Sequence, residues 1–288
     1  MIAKIPLRHI DPALKEPALS GNFNIRDIET LLSGKDMNQE LHRHSFFYVL
    51  VLEKGRGDHS IDFVPYTVKD YSIFFMRPGQ VHRLLLKKGS TGFLMEFTND
   101  FCASLGKTAN QVLRKVSHKN FCTPGAAPFR KLYATLAGIL EEYTAKQERY
   151  REVIQSSLNI FFIELLRQSR NPASLSPDAS EYQQERLEEL QELIAQQAAE
   201  HKQVAYYAER LHLTAYQLNA ITRAALDKTC SALIDDHIIL EAKRYLLATS
   251  DQVNQIAWQL GYEDISYFIR FFKKHTGSSP EVFRRNFK

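Results

Sequence analysis

Two places in this 288-residue sequence carry chemistry. One is His42-x-His44, followed at a distance by His82. Imidazole nitrogens ligate Zn²⁺ and Fe²⁺ well, so three of them could in principle hold such an ion. A non-haem iron site also wants a carboxylate, and the positions after His44 are Ser45, Phe46, Phe47, Tyr48 and Val49. A structural or ligand-contacting role for the histidines therefore ranks ahead of metal binding, and no metal or cofactor is assigned. No Ser-His-Asp set, phosphate loop or carboxylate pair stands out elsewhere. Cys102, Cys122 and Cys230 are scattered and odd in number. They support neither a disulfide framework nor a zinc cage, and they fit a reducing compartment.

The other place is the C-terminus. Residues 270–288 hold Arg270, Lys273, Lys274, Arg284, Arg285 and Lys288 against Glu281 alone. The whole chain is only +4, with a pI near 8.8, so the basic character is local. Such a patch beside a groove-entering helix points to phosphate contact; otherwise it is a solvated basic tail.

The elements that must position these groups follow from hydrophobic patterning. Runs at 41–55, 59–70, 71–80, 81–89 and 92–98 are rich in Phe, Tyr, Val and Ile and are punctuated by Gly and Pro. That is the strand-and-turn pattern of an antiparallel barrel or sandwich. After Pro128 the period changes. Phe129, Leu132, Leu136, Ile139 and Leu140 fall at spacings of three and four, as do Ile154, Leu158, Phe161, Phe162 and Leu165. These predict two amphipathic helices with stripes broad enough for a second chain. The stretch 169–180 reads as a linker, and everything beyond it as helical. No run of about 18 apolar residues and no secretory signal is seen, which predicts a cytoplasmic protein without membrane partners.

The last hundred residues repeat. Ala208, Leu211 and Leu213 match Ala257, Leu260 and Tyr262 at an offset of 49, and Leu218, Arg223 and Asp227 match Phe268, Lys273 and Gly277 at an offset of 50. The extra residue falls where a turn should sit. Each copy reads as two short helices, with Thr214 and Asp264 as N-caps and Gly261 supplying positive φ. This is a helix-turn-helix pattern, whose second helix enters the major groove. Between the copies, 235–248 predicts a connecting helix of roughly 21 Å. On the second reading helix Ile265, Ser266, Ile269 and Arg270 face away from Phe268, Phe271 and Phe272, with Lys273 and Lys274 beside them. On the first, Thr214, Tyr216, Asn219 and Arg223 are the outward candidates, Asn219 as an adenine reader.

The run 256–285, with Ile256-Ala257, Gly261-Tyr262, Tyr267-Phe268, Arg270, Phe272-Lys273-Lys274, Gly277, Pro280 and Arg284-Arg285, resembles the AraC/XylS family of bacterial transcription regulators. The first copy departs from that pattern at Thr222, Ala224 and Asp227. The stretch 42–84, with His42-x-His44 and Pro78-Gly79-x-x-His82, resembles the small β-barrel of the cupin superfamily. Together these resemblances imply an α+β multidomain chain. It would hold a cupin-like effector-sensing barrel (1–126), a helical dimerisation segment (127–170), a linker (171–182) and an all-α double helix-turn-helix domain (183–288). They imply a non-enzymatic, sequence-specific DNA-binding regulator acting as a homodimer on double-stranded DNA. A small-molecule effector would be held near His42, His44, Tyr48, Met76 and His82, and RNA polymerase is a candidate further partner. The alternative is a cupin-type metal-dependent enzyme with an appended helical domain.

Overall fold

A computed structural model describes residues 5–10, 23–169 and 181–287, so most of the expected linker lies outside the described residues. The chain divides into two compact units: Pro6–Arg170, and Asn171–Lys288 together with the first five residues.

The first unit is built on ten strands in chain order: β1 (Leu7–Arg8), β2 (Phe23–Asp27), β3 (Met37–His44), β4 (Phe47–Lys54), β5 (Gly57–Ile61), β6 (Val64–Val68), β7 (Ser72–Met76), β8 (Val81–Leu86), β9 (Thr91–Phe97) and β10 (Phe121–Cys122). They form two five-stranded sheets, ordered β1-β3-β8-β5-β6 and β10-β7-β4-β9-β2. Two of the expected runs are each a pair of strands. The run 41–55 breaks at Ser45–Phe46, and 59–70 turns at Asp62 and Phe63, both at positive φ as a two-residue hairpin requires.

The second sheet is apolar on both faces, and strict alternation assigns its residues. Tyr48, Leu50, Leu52, Phe74, Met76 and Leu94 point into the core between the sheets. Val49, Val51, Ile73, Phe75, Phe93 and Met95 point the other way and meet helices. Coverage on both sides explains why β4 and β7 read as unbroken apolar runs rather than alternating ones.

The covering helices are α2 (Asn99–Ser104), α3 (Lys107–Ser117), α4 (Ala126–Ala145) and α5 (Tyr150–Ser169); α1 (Ile28–Leu32) follows β2. Neither α2 nor α3 was legible as a helix. Sequence patterning also assigned the α4 and α5 stripes to a second chain, and here the structure differs. Phe129, Leu132, Leu136, Ile139, Ile154, Leu158, Phe161, Phe162 and Leu165 are all buried in one cluster with the second sheet. An apolar stripe demands burial but does not name its partner, and this chain's own sheet supplies it.

The second unit is all helical: α6 (Glu181–Gln197), α7 (Val204–Arg210), α8 (Ala215–Leu226), α9 (Cys230–Ala248), α10 (Val253–Gln259), α11 (Ile265–Thr276) and α12 (Pro280–Asn286). The connecting helix α9 starts five residues earlier than periodicity indicated. Thr229 caps it by accepting from the Ala232 N–H, and its 19 residues span about 28 Å. Gly261, at φ 71°, lies against the segment after α6: a Cβ there would sit 1.7 Å from the Ala199 carbonyl oxygen. Lys202 reinforces this contact. Its Nζ donates to the carbonyls of Ala199 (2.7 Å) and Gly261 (3.0 Å) and lies 4.7 Å from the Tyr262 ring centroid.

Candidate nucleic-acid interface and buried histidine cluster

The pairs α7–α8 and α10–α11 reproduce the repeat element by element. Helices α7 and α10 have seven residues each, α8 and α11 twelve each. Thr214 caps α8 by accepting from the Gln217 N–H, and Asp264 caps α11 by accepting from Tyr267 N–H at 3.0 Å. Leu218, Ile221 and Thr222 of α8, and Phe268 and Phe272 of α11, are buried. The opposite faces are open. Tyr216 is 84% exposed, and Arg223, Ser266, Arg270, Lys273 and Lys274 are exposed, with Ile265 and Ile269 partly so. Arg270 stands 4.0 Å from the Asp264 carboxylate, a loose pairing that leaves most of its guanidinium in solvent.

Two residues expected at the DNA face are engaged within the protein. The Asn219 side chain is engaged within the protein: Nδ2 donates to the Ala215 carbonyl (2.9 Å) and Oδ1 accepts from the Cys230 N–H (3.0 Å). These two bonds tie α8 to the start of α9 and engage one donor and one acceptor of the amide, which gives Asn219 a structural role that competes with adenine reading. Arg284 leaves the basic patch. It is buried, donating through Nε to the Leu246 carbonyl (2.8 Å) and through Nη2 to the Asp251 carbonyl (2.7 Å). It satisfies acceptors at the C-terminal end of α9 instead of phosphates. Thr214 acts as the α8 cap, its hydroxyl held by Gln217.

In the first unit the five expected effector contacts come together between the sheets, none more than 3% exposed. A bulge in β3 between Gln39 and His42 sets this up. Without its extra residue Leu41 would face His82; with it, His42 and His82 are directly opposed across β3 and β8. His44 follows two residues on and shares the inward face. The His42 and His44 Nε2 atoms are 3.1 Å apart, and those of His44 and His82 2.7 Å. Tyr48 stacks on His44 with ring centroids 5.1 Å apart, and it pairs in register with Met76. A fourth histidine, His59 on β5, was missed. Its Nε2 lies 2.9 Å from Nδ1 of His82.

Burial sets the protonation of all four. Removal from water holds His42 down to about 4, His44 to about 2 and His59 to about 3, with His82 also well below the usual histidine value. Mutual repulsion within the cluster adds to the effect at His44, His59 and His82. The rings are therefore neutral at neutral pH. Burial also raises the Tyr48 hydroxyl far above its usual value, so it stays protonated.

Comparison with known proteins gives two family matches, one per unit. Residues 29–158 match the AraC-like ligand binding domain, and residues 207–286 match a helix-turn-helix domain. A ligand-binding β-unit joined to a helix-turn-helix unit defines a DNA-binding transcription regulator. The chain belongs to the AraC family of such regulators. Relatives include the uncharacterized HTH-type transcriptional regulator YfiF of Bacillus subtilis, 23% identical over 87% of this chain and 80% of its own. The transcriptional activator RhaR of Yersinia pseudotuberculosis is 22% identical over 85% of this chain and 84% of its own. The activator RhaS of Pectobacterium carotovorum is 23% identical over 84% and 86%. Among solved structures, ToxT from Vibrio cholerae aligns over 91% of this chain and 97% of its own at 13% identity, with a TM-score of 0.43. No described helix is long and apolar enough to cross a membrane.

Proposed function

We propose that this protein is a dimeric, effector-responsive regulator in which α8 and α11 enter successive major grooves of one duplex. The observation that carries this reading is the pair of helix-turn-helix copies with equal helix lengths and a side-chain N-cap on each second helix. Tyr216 and Arg223 on α8, and Ile265, Ser266, Ile269 and Arg270 on α11, are the candidate contacts to base edges or nearby backbone. Lys273 and Lys274 are the candidate phosphate contacts, with Thr214 positioning α8. The basic end of α11 and the apolar Ile265–Ile269 face suit a site where phosphates flank thymine methyls. The cupin-type enzyme is the weaker reading, because it leaves the duplicated unit without a task.

The test is the salt dependence of duplex retention by the full chain. Lys273→Ala is expected to weaken binding to all sequences and to reduce the slope of log K against log salt by about 0.9. An unchanged slope removes Lys273 from the interface.

The dimer reading rests on the outer face of α5. Leu158 and Phe162 are core residues, so they are not its contacts. Val153, Ile160 and Ile163 are 41%, 55% and 41% exposed, at heptad-like spacings of seven and three. A stripe of this kind suits self-association across a two-fold axis. The double variant Ile160→Asp, Ile163→Asp is expected to sediment as a folded monomer; an unshifted dimer would place the interface elsewhere.

A further inference from the structure

Asp264 stands at the N-terminal end of α11 and has a separate task for each of its oxygens. Oδ1 caps the helix, accepting from the Tyr267 N–H at 3.0 Å. Oδ2 lies 4.0 Å from Nη2 of Arg270. That is near enough to draw the guanidinium and too far to occupy a hydrogen bond of either group. Both side chains are open to solvent, and Asp264 is the ion-pair partner of Arg270 among the described residues.

Helix geometry explains the pairing. Ser266 and Arg270, four residues apart, share a face, and side chains on a helix lean toward its N-terminus. Arg270 therefore leans back past the exposed Ser266 toward the cap. A donor fork and an acceptor thus stand side by side, next to Ile265 and Ile269. The first copy has no such couple. Thr214 and Ala220 hold the two places, and the Thr214 hydroxyl is engaged by Gln217.

The N-terminal end of a helix attracts phosphate, and a carboxylate there opposes the attraction. On a DNA-binding face such a charge is favourable only where base edges offset the repulsion. In the major groove a G·C pair shows guanine N7 and O6, both acceptors, and then the cytosine N4 donor. O6 and N4 are bonded to one another and so lie roughly 2.9 Å apart. A guanidinium beside a carboxylate presents the complementary order, two donors and then an acceptor. An A·T pair in the same orientation would set its N6 donor against Arg270 and its O4 acceptor against Asp264.

We propose that Asp264 is a specificity-determining residue that reads one G·C pair together with Arg270. Arg270 donates to guanine, Asp264 accepts from cytosine N4, and its charge disfavours registers held by phosphates alone. This rests on the docking of α11 in the major groove given above.

The test selects duplexes from a random-sequence pool with the full-length protein, and measures retention of one unrelated duplex alongside. The wild type is expected to select a site with one G·C position preferred about tenfold or more over A·T. Asp264→Ser keeps a good helix cap, so a capping role alone predicts no change in either readout. It is expected instead to lose most of that preference and to hold the unrelated duplex several-fold more tightly. Arg270→Ala is expected to lose the same preference and to hold the unrelated duplex less tightly. Asp264→Thr, which gives α11 the cap of α8, serves if the serine variant does not fold. An undiminished G·C preference in folded Asp264→Ser or Asp264→Thr protein overturns the proposal, while its loss in Arg270→Ala alone leaves the docking reading standing. A wild type that selects no sequence overturns both.

Discussion

In the first helix-turn-helix copy the turn residue His212 and the α8 C-cap Asp227 sit at φ 55° and 54°; in the second, the same places hold Gly261 and Gly277 at 71° and 80°. The backbone path is common to both, but only the second copy has the residue that takes it without strain. The cores differ in the same sense. Leu218, Ile221 and Thr222 stand where Phe268, Phe271 and Phe272 form a ring cluster that reaches Phe283. So do the outer faces: the places of Arg270, Lys273 and Lys274 are taken by Ala220, Arg223 and Ala224. The joint after each reading helix also differs. Cys230 has an N–H that Asn219 accepts, whereas its counterpart Pro280 has none and the counterpart of Asn219 is Ile269. The second copy is thus held by rings, glycines and proline and presents cations. The first is held by hydrogen bonds and presents few.

This contrast can be broken by substitution. The largest effect belongs to Phe272→Ala, expected to cost about 3–5 kcal/mol in denaturant titration, against about 1 kcal/mol for Thr222→Ala. Similar losses would mean that the two cores are equivalent. Next comes Gly261→Ala, where a left-handed penalty of about 1–2 kcal/mol adds to a clash with the Ala199 carbonyl, while His212→Ala is expected to be nearly neutral. Equal shifts in midpoint would show that the second turn is not specially confined. The smallest is Asn219→Ala, expected to cost about 1 kcal/mol through the freed Cys230 N–H, with base preference unchanged. A change in base preference without loss of stability would return Asn219 to the reading surface.

The repeat was legible because helical period, small residues and caps are local signals, and the offset of 49 then 50 is visible without any contact. What escaped depends on pairing over distance. His59 joins the cluster only because β5 pairs with β8, and His42 faces His82 only through the β3 bulge. Arg284 looks like surface charge until the Leu246 carbonyl, 38 residues away, is found beneath it. Leu158 and Phe162 announced burial but not their partner, which is the protein's own second sheet.

On the proposed docking of α8 and α11 in successive grooves, the Lys202 contact with Ala199 and Gly261 has a consequence for the operator. It fastens the second turn to the chain entering the first copy, so the two reading helices keep one rotational phase. Each base pair added between their half-sites turns the second by roughly 35° around the duplex axis. A single inserted pair should therefore disengage one copy, whereas a chain free to swivel at this point would tolerate it.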